Sequence, residues 1–287
     1  MGAAPSVAIA VTQGKGGDIN ADIFSMDDVY IFLETYTSEG SLYDKWEPEF
    51  FLRVFPQGCF VYKDKGQPVA FVTSIAYGAS GWLGNLIVRK DYRGRGIGKM
   101  LTECAIKSLR SAGVQSIWLS ATEAGKWIYQ GLGFVEVDVI NQWMGLGHTG
   151  KPWDMPGMDV DKMISLDAGC WGDRREPMIK AISQHGRVIA GPDSFLVIQQ
   201  WNHGFVQLGP WVVGKVERAR GMLDAALAQI GPTSPVFSYV PSLNVAAAML
   251  LVERHFIITQ RNTLMCLGSD TAYSPMHIFG LANPSFG

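Results

Sequence analysis

Cysteine is scarce in this chain of 287 residues, and the four present (Cys59, Cys104, Cys170 and Cys266) stand far apart with no paired spacing. That excludes a zinc-ligand pattern or a disulfide framework, so no metal is expected and a reducing compartment is. An excess of one charge is missing too. Lys and Arg total 24 against 26 for Asp and Glu, a net charge of −2. Without a global basic field, nucleic acid is not an expected partner. Long hydrophobic runs are absent: the longest, VAAAMLLV from Val245, falls well short of the roughly 20 residues that span a bilayer. The apolar stretch around Val7 to Val11 has no cationic region before it, so a secretory signal is not expected. The expected location is cytoplasmic.

What is present describes a core-forming protein. Hydrophobic residues make up 47% and charged residues 17%, and the length suits one large or two ordinary domains. MGAAPS fits the myristoylation pattern at Gly2 and Ser6, although the plainer reading is a frayed tail. GKGG at Gly14 lacks the spacing of a phosphate loop, so residues 1–18 read as a flexible leader.

Ile19 to Ser25 reads as a short strand and Met26 to Tyr36 as a helix, with Asp27 and Asp28 at the positive end of its dipole. A second helix starts near Glu47 and Pro48. The runs CFVYKD and PVAFVTSIAYG, separated by Lys65-Gly66-Gln67, read as a hairpin, and GWLGNLIV follows as a strand. Leu101, Cys104, Ala105, Ser108 and Leu109 share one helical face that ends at Gly113. SIWLSAT, AGKWIYQGLG and FVEVDVINQWM read as strand, short helix and strand. The stretch from Gly145 to Asp159, rich in Gly and Pro, reads as a linker. The class is mixed α/β with one twisted sheet.

The chemistry concentrates in LIVRKDYRGRGIGKML, from Leu86 to Leu101. A strand leads through Gly94, Gly96 and Gly98, with Arg93, Arg95 and Lys99 beside them, into a helix. The first-turn amides of a helix have no intrahelical partner, and the dipole favours an anion there. Glycine lets the anion approach the backbone, and the arginines add charge-assisted bonds. The alternating glycines do not fit a dinucleotide fingerprint, and Met100 after Lys99 does not fit a Walker loop.

This stretch resembles the signature of the GNAT family, the acetyl-CoA-dependent N-acetyltransferases, with Arg93-x-x-Gly96-x-Gly98 as its core. WIYQGLGF, from Trp127 to Phe134, resembles the family's Tyr-x-x-x-Gly-Phe segment. The two ordered motifs cover roughly Ile19 to Met144. Departures exist: Thr122 and Gly125 stand where the family often has Asn and Ala, and Lys90 replaces a common Pro. The resemblance implies a GNAT fold, a mixed twisted sheet flanked by helices. It implies that Leu86, Ile87, Val88, Arg93, Gly94, Arg95, Gly96, Ile97, Gly98, Lys99 and Thr122 hold acetyl-CoA. Tyr129 is then the acid that protonates the coenzyme A sulfur, and its ordinary pKa near 10 keeps it protonated at neutral pH.

The C-terminal half repeats the pattern with its chemistry eroded. LGNLIVRKDYRGRGIGKML, from Leu83, aligns without a gap with LGPWVVGKVERARGMLDAA, from Leu208. Gly84 meets Gly209, Val88 meets Val213, Arg93 meets Arg218, Arg95 meets Arg220 and Gly96 meets Gly221. Asn244 and Ala247 occupy the family positions that the first half lacks. Leu223 stands in place of Gly98, Leu251 in place of Tyr129 and His255 in place of Gly133. The expected organisation is two tandem GNAT-like units: a catalytic domain over 19–147, a linker over 148–160, and a degenerate domain over 161–287 that shapes the acceptor site.

The implied reaction is direct attack of a neutral primary amine on the thioester, with no protein nucleophile. A lysine-like amine is neutral only about once in 2,500 molecules at pH 7, an offset of about 4.6 kcal/mol, so a base is useful. Glu34, Glu39, Asp44 and Glu123 are the candidates, although the plainer reading of each is a solvated surface acid. His203 and His255 are weaker ones. Tyr43, Trp46, Tyr77 and Trp82, with Trp201 and Trp211 from the second half, would wall a pocket for a small amine of apolar or aromatic character. The alternatives are a protein amine as acceptor, or an acyl-CoA-binding regulatory module.

Overall fold

The computed structural model describes residues 21–40, 44–150, 157–268 and 272–287. The leader, Gly2, Gly14 and Tyr43 lie outside the described residues. The chain divides into two compact units, one formed by 1–76 and 83–113, the other by 77–82 and 114–287.

In the first unit, β1 (Asp22–Ile23) is shorter than the expected strand and pairs antiparallel with a later one. The Ser25 backbone and hydroxyl both donate to the Asp28 carboxylate, at 3.1 and 2.9 Å. This capping arrangement opens a 3-10 turn that leads into α1 (Val29–Ser38). Next come α2 (Trp46–Val54), β2 (Phe60–Asp64), β3 (Gln67–Ala76), β4 (Ser80–Val88) and α3 (Ile97–Ser111). The hairpin between β2 and β3 turns on Lys65 and Gly66, both at positive φ, the backbone that matches the twist of its strands. Phe24, Phe32 and Phe71 form the centre of the core, with ring centroids 5.1 to 5.3 Å apart. The expected apolar face of α3, Leu101 to Leu109, is buried against β2 and β3.

The second unit contains β5 (Ser116–Ala121), α4 (Lys126–Gln130), β6 (Val135–Leu146), α5 (Val160–Trp171), α6 (Glu176–His185), β7 (Arg187–Gly191) and β8 (Ser194–Gln200). It continues through β9 (Val206–Val213), α7 (Glu217–Ile230), β10 (Pro235–Pro241), α8 (Val245–Val252), β11 (Ile257–Gly268) and β12 (Ile278–Gly280). The opening residues of β4, Ser80 to Trp82, pair in parallel with Ser116 to Trp118 of β5. From β5 the strand order is β5-β11-β6-β10-β9-β8-β7, with β12 on β9.

The element order α-α-β-β-β-α-β-α-β from α1 to β6 recurs from α5 to β11. The closing strands of the two runs are interleaved. β11 pairs antiparallel with both β5 and β6, and β6 pairs antiparallel with both β11 and β10. Each run therefore supplies a strand that completes the other's hydrogen-bond ladder. For this reason compactness does not follow the expected break at 148–160.

Candidate active site

The glycine-rich turn joins β4 to α3. Gly96 is the N-cap of α3 in the left-handed region, φ +80°, and Gly94 has φ +77°. A Cβ built on either residue meets nothing within 4 Å. Glycine is thus required there by backbone conformation, which L side chains enter at a cost, rather than by crowding. Among the described residues no side chain caps the helix, so its first-turn amides at Ile97, Gly98 and Lys99 remain outward donors. They fit a phosphate-bearing ligand, with Arg93, Arg95 and Lys99 exposed beside them.

Those cations are braced. Arg93 donates to the Val88 carbonyl at 2.9 Å and pairs with Glu39 at 2.8 Å. Arg95 donates to the Asp91 carbonyl at 2.7 Å and lies 4.9 Å from the Tyr92 ring centroid, while the Tyr92 hydroxyl donates to Asp64 at 2.8 Å. Lys90 also reaches Glu39, at 3.7 Å. Glu39, expected as a possible base, pairs with Arg93 and Lys90 on the turn.

The strand before the turn is irregular at Asn85, which has φ +54° within β4. Its side chain anchors a buried polar group. Nδ2 donates to Thr73 Oγ1 at 3.0 Å and to Glu47 Oε1 at 3.4 Å, and Oδ1 accepts from the Tyr36 hydroxyl at 3.3 Å. Glu47 is 0% exposed and Asn85 8%. Sequence reading missed this group, because Glu47 looks like an ordinary first-turn acid on α2. The available signal was the polar Asn85 in an otherwise apolar strand. Leu86, Ile87 and Val88 follow directly, Ile87 buried and its neighbours half-buried.

Tyr129 sits on the short α4 and is 7% exposed, edge-on to Phe134 at 5.8 Å. Among the described residues no group hydrogen-bonds its hydroxyl. Burial pushes the phenol above its ordinary pKa, so it stays protonated at neutral pH. The Thr122 carbonyl accepts from the Gly125 and Lys126 amides at 3.0 Å and starts this turn. Its side chain is exposed.

Residues 56–136 match the model of a family described as acetyltransferase (GNAT) domain. The stretch over residues 56–136 is thus similar to a GNAT domain. It is 28% identical over 142 residues to an uncharacterized N-acetyltransferase of Methanocaldococcus jannaschii, covering 41% of this chain and 61% of that one. It is 37% identical over 57 residues to the ribosomal protein bS18-alanine N-acetyltransferase of Haemophilus influenzae, covering 19% and 39%. The chain thus matches less than two thirds of the length of these relatives. A crystal structure of a Pyrococcus horikoshii protein assigned as an acetyltransferase superposes with a TM-score of 0.82 at 20% identity, covering 93% of this chain and 95% of that one. That likeness shows a shared fold.

Several side chains expected around the GNAT acceptor pocket are elsewhere. Trp82 is buried, its indole N–H donating to the Pro284 carbonyl at 3.0 Å and its ring edge-on to Trp171. Trp211 is 0% exposed in the C-terminal core, 5.1 Å from Phe279. Neither can wall a pocket, because β4 and β9 turn these large apolar side chains into the interior. Tyr77 donates to the Phe286 carbonyl at 2.7 Å and lines a cavity of about 540 Å³ with Asp173, Arg174, Glu176, Pro177 and Lys180. Trp46 and Trp201 are half-buried. Of the acids, Glu34 and Glu123 are exposed, and Asp44 accepts from the Trp46 amide at 3.3 Å.

The repeated half has no comparable GNAT turn. Its aligned Gly221 lies inside α7, which begins at Glu217. The amides that would face phosphate are thus drawn into intrahelical bonds. Arg218, aligned with Arg93, pairs with Asp193. Leu223 and Leu251, at the positions of Gly98 and Tyr129, are fully buried core residues. Asn244 caps α8, its Oδ1 accepting from the Ala247 amide at 3.0 Å. His203 and His255 sit at positive φ in turns. Among the described residues no group of three or more His, Cys, Asp or Glu could hold a metal, and no helix is long and apolar enough to cross a membrane.

Proposed function

We propose that the protein is an acetyl-CoA-dependent N-acetyltransferase that acetylates a primary amine by direct attack. The observation that carries this reading is the left-handed Gly96 cap of α3, which leaves outward amides beside braced arginines. The substrate brings an activated acetyl thioester. The chain's part is to hold its phosphates on Ile97 to Lys99, align the acyl group along Leu86 to Val88, and supply a proton from Tyr129. The neutral amine nitrogen bonds to the acetyl carbon and releases a proton to solvent, the carbon–sulfur bond breaks, and the thiolate takes the Tyr129 proton, which Tyr129 regains from solvent.

The acceptor is proposed as a small primary amine. A second reading, a polypeptide α-amino group, is favoured by the alanine N-acetyltransferase among the relatives and by the removal of Trp82 and Trp211 from the pocket. Coenzyme A release should be measured across amino acids, polyamines, arylalkylamines, aminoglycosides and short peptides with free N-termini. Release with one class identifies the acceptor. Saturable acetyl-CoA binding without release from any amine would refute the enzyme reading in favour of an acyl-CoA-binding module.

A further inference from the structure

The opening of β4 and the opening of β9 are paired in the same register. Gly81 and Trp82 lie parallel to Ile117 and Trp118 of β5, and Val206 and Gln207 lie parallel to Val236 and Phe237 of β10. Carried back two residues, the gap-free alignment sets Gly81 on Val206 and Trp82 on Gln207. Beyond Gln207 and Phe237 the β9–β10 ladder has no further rung. In the first copy the aligned strand runs on to Leu86, Ile87 and Val88, the segment proposed to align the acyl group. Its counterpart in the second copy is Trp211, Val212 and Val213.

In the second copy that stretch is covered by the chain itself. β12 pairs antiparallel with β9, Ile278 opposite Val212 and Gly280 opposite Trp211. On the other side, the Leu281 amide donates to the Tyr239 carbonyl of β10 at 2.8 Å. A Cβ built on Gly280 would lie 2.9 Å from the Leu208 carbonyl of β9 and 2.9 Å from the Ser238 hydroxyl of β10. The segment is therefore wedged where the two strands part. Buried side-chain amides hold its carbonyls. Asn244 donates to Ile278 at 2.9 Å, Gln199 to Ala282 at 3.1 Å and Gln207 to Leu281 at 3.4 Å. Ile278 and Phe279 are buried, Phe279 with its ring 5.1 Å from that of Trp211. Backbone pairing on a strand, buried donors on carbonyls and apolar filling are together the means by which a groove binds an extended, amide-bearing chain.

We propose that residues 275–287 are a resident ligand of the second copy, taking on Trp211 to Val213 the place that the amide-bearing arm of acetyl-CoA takes on Leu86 to Val88. The proposal rests on the acetyltransferase reading of the first copy. It makes the second copy's groove a strand-binding site filled in cis and closed to the donor.

Hydrogen–deuterium exchange on the full chain gives the first readout. Saturating acetyl-CoA should slow the amides of residues 86–88 and leave those of 211–213 and 278–282 unchanged. For the groove itself, a chain ending at Ser274 is titrated with a synthetic peptide of residues 275–287. The peptide should bind at one saturable site and raise the melting temperature of the shortened chain. The same peptide with Gly280→Val should bind about tenfold more weakly or worse, the scale of overpacking one tight site. In the full chain, Gly280→Val should speed exchange at 278–282 and at 211–213, a result that does not depend on the shortened chain folding. Donor protection at 211–213, faster exchange at 278–282 when acetyl-CoA binds, or equal binding of the two peptides would overturn the proposal and leave the reading of the first copy intact. Acetyl-CoA that slows neither 86–88 nor 211–213 would overturn both.

Discussion

Glu39 and Arg93 form an ion pair of 2.8 Å that ties the residue after α1 to the turn before α3. Lys90 shares the same carboxylate. A carboxylate engaged by two cations is committed to bracing the turn rather than to receiving a proton from the substrate. Glu39→Gln should therefore leave the turnover number within about threefold of wild type, far from the 10²- to 10⁴-fold loss of a general base. Steady-state kinetics at saturating substrates check this, and a loss of a hundredfold would restore Glu39 as the base.

Gly96 makes a sharper demand on the backbone. Alanine at φ +80° costs roughly 1–2 kcal/mol, although its methyl group has space. Gly96→Ala should lower the melting temperature and weaken acetyl-CoA binding. Gly221→Ala, inside α7, should leave acetyl-CoA affinity unchanged. Calorimetric titration of both variants reads the difference. Equal losses of affinity would mean that the second half also binds the donor.

Tyr129→Phe should cut turnover by about 10²-fold or more while changing acetyl-CoA affinity little, the pattern expected when a general acid is removed. The pH dependence follows from the direction of its shift. Burial raises the Tyr129 pKa, so the protonated donor persists above the ordinary value near 10. The turnover number should thus show no alkaline fall from this residue up to about pH 10. A fall centred below pH 9 that vanishes in Tyr129→Phe would contradict the assignment.

Much of this was legible in the sequence, where local signals suffice. Gly94 and Gly96, the face from Leu101 to Leu109, the Lys65-Gly66 turn and the Tyr129 segment each follow from spacing within a few residues. The Asn85–Glu47 contact joins residues 38 apart in the chain, and nothing local distinguishes Glu47 from a solvated acid. Trp82 and Trp211 misled for a related reason. Alternation along a strand shows that two faces differ, but here β4 and β9 are buried along nearly their whole length. The interleaving of β6 and β11 is likewise invisible, since each reads as the last strand of its own half.

Burial also raises the thiols of Cys59 and Cys170, each to about 12. A thiol whose folded pKa exceeds its unfolded value favours the native state fully below the unfolded pKa. That contribution is lost as pH rises from about 9 towards 12, because the unfolded chain ionises first. The melting temperature should accordingly fall over this window, and neither thiol should alkylate at pH 8 without unfolding. Rapid labelling of Cys59 in native protein would contradict its burial.

The strand exchange sets the consequence of dividing the chain. Cutting in the Gly145 to Asp159 stretch suggests from sequence alone that the first half should survive by itself. In the structure, β11 lies between β5 and β6, pairing with β6 from Ile257 to Cys266 and with β5 from Thr263 to Gly268. A fragment ending at residue 150 would lose that strand, leaving the facing edges of β5 and β6 with unpaired backbone groups. Such edges are a template for association. The fragment expressed alone should aggregate or fail to bind acetyl-CoA. Co-expression with residues 151–287 should restore a soluble complex, because β6 and β11 can then complete both ladders. Size-exclusion chromatography and acetyl-CoA titration of the fragment and of the co-expressed pair provide the readout. A monomeric first half that binds acetyl-CoA with wild-type affinity would show that the exchanged strand is dispensable.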